Sequence, residues 1–211
     1  MSEVVQQIFS AILEGDKDKA AESVETALTD GLSPTRVLED GLIAAMSEVG
    51  RRFEAGEFYV PEMLVSARAM QAGLARLKPQ LIQAAVKPLG RIAIGTVKGD
   101  LHEIGKNLVG MMLEGAGFEI QDLGVDVPPD TFVQAAREGA CIVAISALLT
   151  TTMSSMQDTV AALEAAGLRP RVRVMVGGAP VTQTFADRIG ADGFAPDASQ
   201  AVALARRLIQ A

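Results

Sequence analysis

The sequence predicts two folds in series: an all-α four-helix bundle over residues 1–83 and an α/β domain with a five-stranded parallel sheet over residues 91–211. Three observations carry this. Up to residue 83 the apolar residues recur only at helical spacing; residues 84–90, Ala-Ala-Val-Lys-Pro-Leu-Gly, break that pattern; and beyond them short apolar runs alternate with amphipathic ones. Helical stripes joined by short loops pack as a bundle, whereas alternating strands and helices build a doubly wound parallel sheet.

In the first part, Val4, Val5, Ile8, Phe9, Ile12 and Leu13 form a stripe that stops at Gly15, and Ala20, Ala21, Val24 and Leu28 form a second that stops at Gly31. Ser33-Pro34 reads as an N-cap followed by proline in the first helical turn. It opens a third stripe of Val37, Leu38, Leu42, Met46 and Val49 that runs to Phe53. After a turn at Gly56, Pro61 opens the fourth, with Met63, Leu64, Ala67, Met70, Leu74 and Leu77. Residues 84–90 read as a linker. Five strand and helix pairs follow: 91–97 and 104–114, 118–123 and 130–138, 141–146 and 153–165, 172–176 and 182–189, and a short 193–194 before 199–209.

Composition narrows the function classes. A net charge of -7 without clustered Lys and Arg argues against nucleic-acid binding. No apolar run reaches the roughly 18 residues that span a bilayer. The start, Met1-Ser2-Glu3-Val4, lacks signal-peptide character, and a single cysteine, Cys141, cannot form an internal disulfide, so a cytoplasmic location is expected. One histidine and one cysteine cannot supply the four ligands of a zinc site.

In a doubly wound sheet, ligands bind beyond the carboxyl ends of the strands. The first of those loops holds the only histidine, in Gly99-Asp100-Leu101-His102-Glu103-Ile104-Gly105. An acidic residue two positions before it can hold one ring nitrogen and leave the other as a metal ligand. The loop after the third strand, Ser146-Ala147-Leu148-Leu149-Thr150-Thr151-Thr152, carries four hydroxyls, and the next is Gly177-Gly178-Ala179-Pro180. Taken singly, each has a plain alternative: a polar loop, helix-capping threonines, a tight turn. Together they line one rim with small, hydroxyl-bearing and metal-ligating groups, and no Walker-type phosphate loop is present. This favours a large, flat, metal-containing cofactor with a tail.

Asp100-x-His102-x-x-Gly105, then Ser146-x-Leu148 and Gly177-Gly178, resembles the signature of cobalamin-binding domains of the methionine synthase type. In the first part, Phe53-Glu54-Ala55-Gly56-Glu57-Phe58-Tyr59-Val60-Pro61-Glu62 resembles the helical cap segment of the same family. The resemblance covers nearly the whole chain and implies a Rossmann-like (flavodoxin-like) cofactor domain preceded by a bundle cap. With no catalytic domain attached, the chain is similar to free-standing corrinoid proteins of methyltransferase systems, which are carriers rather than catalysts. Such proteins cycle cobalamin through methylcob(III)alamin, cob(II)alamin and cob(I)alamin.

The resemblance assigns His102 as the lower cobalt ligand, displacing the cofactor's own benzimidazole. It places Asp100 and then Thr152, where the family has serine, behind it as a relay. Gly99, Leu101, Glu103, Ile104, Gly105, Ser146, Leu148, Thr150, Gly177, Gly178 and Ala198 match positions along the corrin or its tail. Phe53 and Val60 match apolar residues over the upper cobalt face, with Tyr59 and Met63 beside them. The partners implied are a substrate:corrinoid methyltransferase, a corrinoid:tetrahydrofolate or corrinoid:thiol methyltransferase and a reductive activator, with a hinge in residues 84–90. A cobalamin-responsive sensor and the cobalamin subunit of a mutase share the fold; the first usually carries a DNA-binding or signalling module, and the helical cap argues against the second. A flavin-binding protein of this fold would leave the Asp-x-His turn unexplained.

Overall fold

The computed structural model describes residues 2–210; the outermost residue of each predicted domain, 1 and 211, lies outside them. The chain forms two compact units, Met1–Lys87 with Gly115–Gly117, and Pro88–Glu114 with Phe118–Ala211.

The helical unit follows the predicted stripes. Helix α1, Glu3–Glu14, buries Val5, Ile8, Ala11 and Ile12 and stops at Gly15, which takes φ +73°. A Cβ at Gly15 would also come within 2.7 Å of the Val65 side chain, so both conformation and space call for glycine. Helix α2, Lys17–Thr29, starts at Asp16, whose carboxylate accepts from the Lys19 amide at 3.0 Å. The third stripe is not one regular α-helix. It comprises α3, Pro34–Arg36, a π-helical stretch Val37–Ile43, and α4, Ala44–Glu54. The wider π turn lets Val37 and Leu42, five residues apart, share the buried face. Within it Gly41 lets α1 approach, since a Cβ there would lie 3.2 Å from Ile8 Cγ2. Helix α5, Val60–Gln83, has Pro61 in its first turn, and Glu62 reaches back to accept from the Tyr59 amide at 3.0 Å. Ile8, Ile12, Leu42, Met63, Met70 and Leu77 are fully buried and make up its core.

The second unit holds a five-stranded parallel sheet in the order β2-β1-β3-β4-β5. The strands are β1 Arg91–Thr96, β2 Glu119–Asp122, β3 Ile142–Ser146, β4 Arg173–Gly177 and β5 Gly193–Ala195. Helices α6 Ile104–Gly115, α7 Pro129–Arg137, α8 Met153–Ala165, α9 Gln183–Ile189 and α10 Ala198–Leu208 alternate with them. The central strands β1, β3 and β4 are buried along nearly their whole length, as their Val, Ile and Ala content requires of a sheet covered on both faces. Gly95 in β1 makes room for Phe132 of α7: a Cβ there would meet the ring at 2.8 Å. Because β1 leads toward β2 and β3 toward β4, the loops after β1 and β3 diverge, and the crevice of the fold opens between them.

No helix among the described residues is long and apolar enough to cross a membrane. Arg51 and Arg52 both pair with Glu48, and Arg173 lies 3.7 Å from Asp192.

Candidate functional site

Register lines up four residues at the carboxyl edge of the sheet: Thr96, Ser146, Gly177 and Ala195 are successive partners across β1, β3, β4 and β5. Past this row β1 runs into a turn built on Gly99, whose φ of +85° suits glycine. The turn is pinned at several points. The buried Thr96 hydroxyl donates to the His102 carbonyl at 2.9 Å, and the Asp100 amide donates to the Val97 carbonyl at 3.1 Å.

Asp100 is fully buried, and both of its carboxylate oxygens are saturated. Oδ1 accepts from the His102 amide at 3.1 Å and faces His102 Nδ1 at 2.7 Å. Oδ2 accepts from the Leu148 amide at 2.8 Å, the Leu149 amide at 3.2 Å and the Thr152 hydroxyl at 2.8 Å. Burial alone would raise the pKa of this carboxyl. The hydrogen bonds from Leu148, His102 and Thr152 outweigh it and hold Asp100 well below the usual carboxylate range. An ionised Asp100 can only accept, so the Nδ1 that faces it carries a proton, and Nε2 is the ring nitrogen left clear of the carboxylate. The imidazole is half exposed, unlike the carboxylate behind it.

Sequence reading joined Thr152 to Asp100 through a resemblance, and the structure brings the two into contact across 52 residues. The extra methyl group of threonine has a place: a Cβ added at Gly99 would lie 3.5 Å from Thr152 Cγ2. Thr152 Oγ1 also lies 2.9 Å from the Leu149 carbonyl, so one hydroxyl proton serves two acceptors, and the charged carboxylate is the stronger.

Exposed apolar side chains flank His102. Leu101 and Ile104 are 71% and 75% exposed, and Leu148 and Leu149 are 42% and 43% exposed. A Cβ on Gly105 would meet nothing within 4 Å, which leaves open space over the first turn of α6. Thr150 is exposed, Ser146 is half-buried, and Ala198 is buried at the start of α10. The glycine pair has a structural reason of its own. Gly178 takes φ +129°, and a Cβ there would collide with the Ala147 carbonyl oxygen at 1.9 Å. Gly177 faces the Ala195 carbonyl, 3.0 Å from where its Cβ would be. Phe53, Tyr59, Val60 and Met63 belong to the helical unit. There Phe53 is half-buried, Tyr59 and Val60 are 66% and 41% exposed, and Met63 is wholly in the bundle core.

Two features escaped the sequence reading. Lys106, buried in α6, donates to both Asp122 oxygens at 2.6 Å and to Asn107 Oδ1 at 2.7 Å, tying the helix after the histidine turn to the end of β2. Asp126, on the β2–α7 loop, accepts from the Gly99 amide at 2.7 Å. Neither carries a local signal, because each pairing joins residues 16 or more positions apart.

What ligand suits this arrangement follows from its donors. Among the described residues no group of three or more His, Cys, Asp or Glu could hold a metal ion. A metal taken by His102 Nε2 must bring its other ligands with it, as a macrocycle does, and the apolar rim suits a flat one. Residues 90–204 match the model of a B12 binding domain, and residues 4–78 match a second model of that description. The chain belongs to the B12-binding corrinoid protein family.

Corrinoid relatives match almost end to end. The dimethylamine corrinoid protein of Methanosarcina barkeri is 46% identical over 209 residues, covering 98% of each chain. The trimethylamine corrinoid protein 1 of Methanosarcina acetivorans is 43% identical over 210 residues, covering 98% of this chain and 97% of that one. Among solved structures, a cobalamin-binding protein from Desulfitobacterium hafniense superposes with a TM-score of 0.78 at 34% identity, covering 97% of this chain and 98% of that one. The methanol:cobalamin methyltransferase complex MtaBC of Methanosarcina barkeri gives 0.88 at 29% identity, covering 99% of this chain and 80% of that one. The cofactor of this corrinoid protein is therefore cobalamin.

Proposed function

We propose that this corrinoid protein carries a methyl group on cobalt, with His102 as the lower axial ligand. It receives the group from a substrate:corrinoid methyltransferase and delivers it to a second methyltransferase with a tetrahydrofolate or thiol acceptor. One observation carries the reading: the sole imidazole of the chain stands at the fold's crevice with Nδ1 held by a buried carboxylate and an apolar rim around it. When bound, cobalamin supplies the cobalt centre that takes up and gives away the methyl group.

The chain's own residues prepare for that chemistry. Asp100 keeps the proton on Nδ1 and the lone pair on Nε2, and Thr152 with the Leu148 and Leu149 amides keeps Asp100 ionised and fixed. With the imidazole off a metal, Nε2 would be free to hold a proton, and Asp100 and Thr152 behind Nδ1 would make the three residues a relay. Leu101, Ile104, Leu148 and Leu149 offer apolar surface to the macrocycle and exclude water from its lower face. Gly99, Glu103 and Gly105 are assigned to the corrin side of the site, and Ser146, Thr150, Gly177, Gly178 and Ala198 to the corrin edge and nucleotide tail. Residues 84–90, mostly exposed and without regular structure, serve as the linker between a cap domain at 1–83 and the cofactor domain at 91–211.

Methylamines are the donor class favoured here, because the relatives that match end to end are named for dimethylamine and trimethylamine. A reductive activator completes the set of partners. The direct test is the absorption spectrum after loading with methylcobalamin. Wild type should show the imidazole-ligated form, and His102→Ala should lose it; identical spectra would remove His102 from cobalt. Demethylation of the loaded chain by a corrinoid methyltransferase separates a carrier from a sensor.

A further inference from the structure

The β2–α7 loop, residues 123–128, runs alongside the histidine turn and bonds to it step by step. The Thr96 amide donates to the Gly124 carbonyl at 3.0 Å, the Val127 amide to the Thr96 carbonyl at 2.9 Å, and Val97 and Val127 form a parallel bridge. At the far end of this seam sits Asp126. Its carboxylate accepts from the Gly99 amide at 2.7 Å, and its own amide donates to the Asp100 carbonyl at 3.0 Å. One residue thus grips the backbone on both sides of the Gly99-Asp100 step.

The grip is held in an unfavourable conformation. Asp126 takes φ +53°, one of two non-glycine residues with positive φ among those described. Left-handed backbone is costly for a residue with a Cβ, and Asp and Asn tolerate it best. Glycine would relieve the strain but could not supply the acceptor. Such strain at an exposed position, next to a site and spent on one hydrogen bond, points to a function for that bond.

We propose that Asp126 is a positioning residue for cobalt ligation. By holding the Gly99 amide and the Asp100 carbonyl, it sets the direction in which the Asp100 carboxylate meets His102 Nδ1, and so the direction in which Nε2 would face the metal. Its hydrogen bonds go to the Gly99 amide and the Asp100 carbonyl, so it acts through the turn. The inference rests on the reading of His102 as lower ligand, but its first test does not.

That test uses the apo chain. His102 is the only histidine, so nitrogen-15 NMR of the imidazole reports one residue without ambiguity. Wild type should show a single tautomer protonated on Nδ1, and Asp126→Asn, which keeps an acceptor and tolerates positive φ, should match it. Asp126→Gly, which keeps the backbone and deletes the acceptor, should show mixed tautomers. In wild type the Gly99 amide should exchange slowly with solvent. Fast exchange there, or an unaltered imidazole in Asp126→Gly, overturns the proposal, and the exchange measurement stands even if that variant fails to fold.

With cob(II)alamin loaded, the paramagnetic spectrum should show the ratio of imidazole-ligated to unligated cobalt falling about fivefold in Asp126→Gly, as loss of one net hydrogen bond implies, and recovering in Asp126→Asn. Equal impairment of both variants would assign the effect to charge and overturn the role given to the bond. Absence of imidazole coupling in wild type and His102→Ala alike would instead overturn the ligand reading, leaving the apo result to stand or fall by itself.

Discussion

Glu48 in the helical unit and Asp100 in the sheet unit are both held below the ordinary carboxylate range, and by different physics. Glu48, on α4 of the helical unit, is lowered to about 2 by hydrogen bonds from Arg51 and Arg52 on the same helix. Those side chains are long and partly exposed, so solvent and salt screen what they contribute. Asp100 is fully buried, and its donors are two loop amides, a hydroxyl, and the imidazole and backbone amide of His102, all fixed by the fold. The first arrangement decorates a helix. The second is a preorganised polar site, and it carries a cost when broken that the first does not.

The sharpest way to test the contrast is to delete the buried partner. Asp100→Ala orphans the Leu148 and Leu149 amides and leaves the Thr152 hydroxyl only the Leu149 carbonyl, and should cost about 3–5 kcal/mol of apo stability by urea unfolding, as breaking a buried charged network does. It should also abolish the imidazole-ligated spectrum. Met63→Ala, in the helical core, should cost about 2–5 kcal/mol through its cavity and leave the His102 tautomer untouched. A change in that tautomer would break the separation between core and site.

Smaller effects sharpen the comparison further. Thr152→Val keeps shape but removes the hydroxyl, and should cost about 1–2 kcal/mol, while Thr152→Ser should restore most of it. For pH, the sign follows from the folded pKa of Asp100 lying below its unfolded value. Its stabilisation is complete above the unfolded aspartate range, near about pH 4, and is lost as pH falls through the folded value. Wild type should therefore lose stability more steeply than Asp100→Asn on acidification below that point, measured as unfolding free energy against pH. Glu48→Gln should have the smallest effect, one that vanishes in high salt.

Much of this was legible in the chain. The stripe ending at Gly15 became α1, and the run at residues 153–165 became α8 with the bounds the sequence implied. The third stripe was read as regular helix, and only its five-residue step from Val37 to Leu42 betrayed the π-helical stretch. Leu101 and Ile104 belong to the site through the resemblance, and only their exposure shows that they form an apolar rim. Gly178 matches a position along the corrin or its tail, and the structure gives it a first duty to the Ala147 carbonyl.

By itself the sequence determined the two-part architecture, because helical and strand periodicity are local properties of neighbouring side chains. It also determined the Asp100-x-His102 pairing, which spans two residues and needs only a turn. The tertiary structure alone decided the strand order 2-1-3-4-5 and the grip of Asp126 on Gly99, and it supplied the contact of Thr152 with Asp100 that a resemblance implies. Those contacts join loops 52 and 27 residues apart. Strand pairing brings such loops together, and it is fixed by burial across the whole sheet rather than by any local pattern.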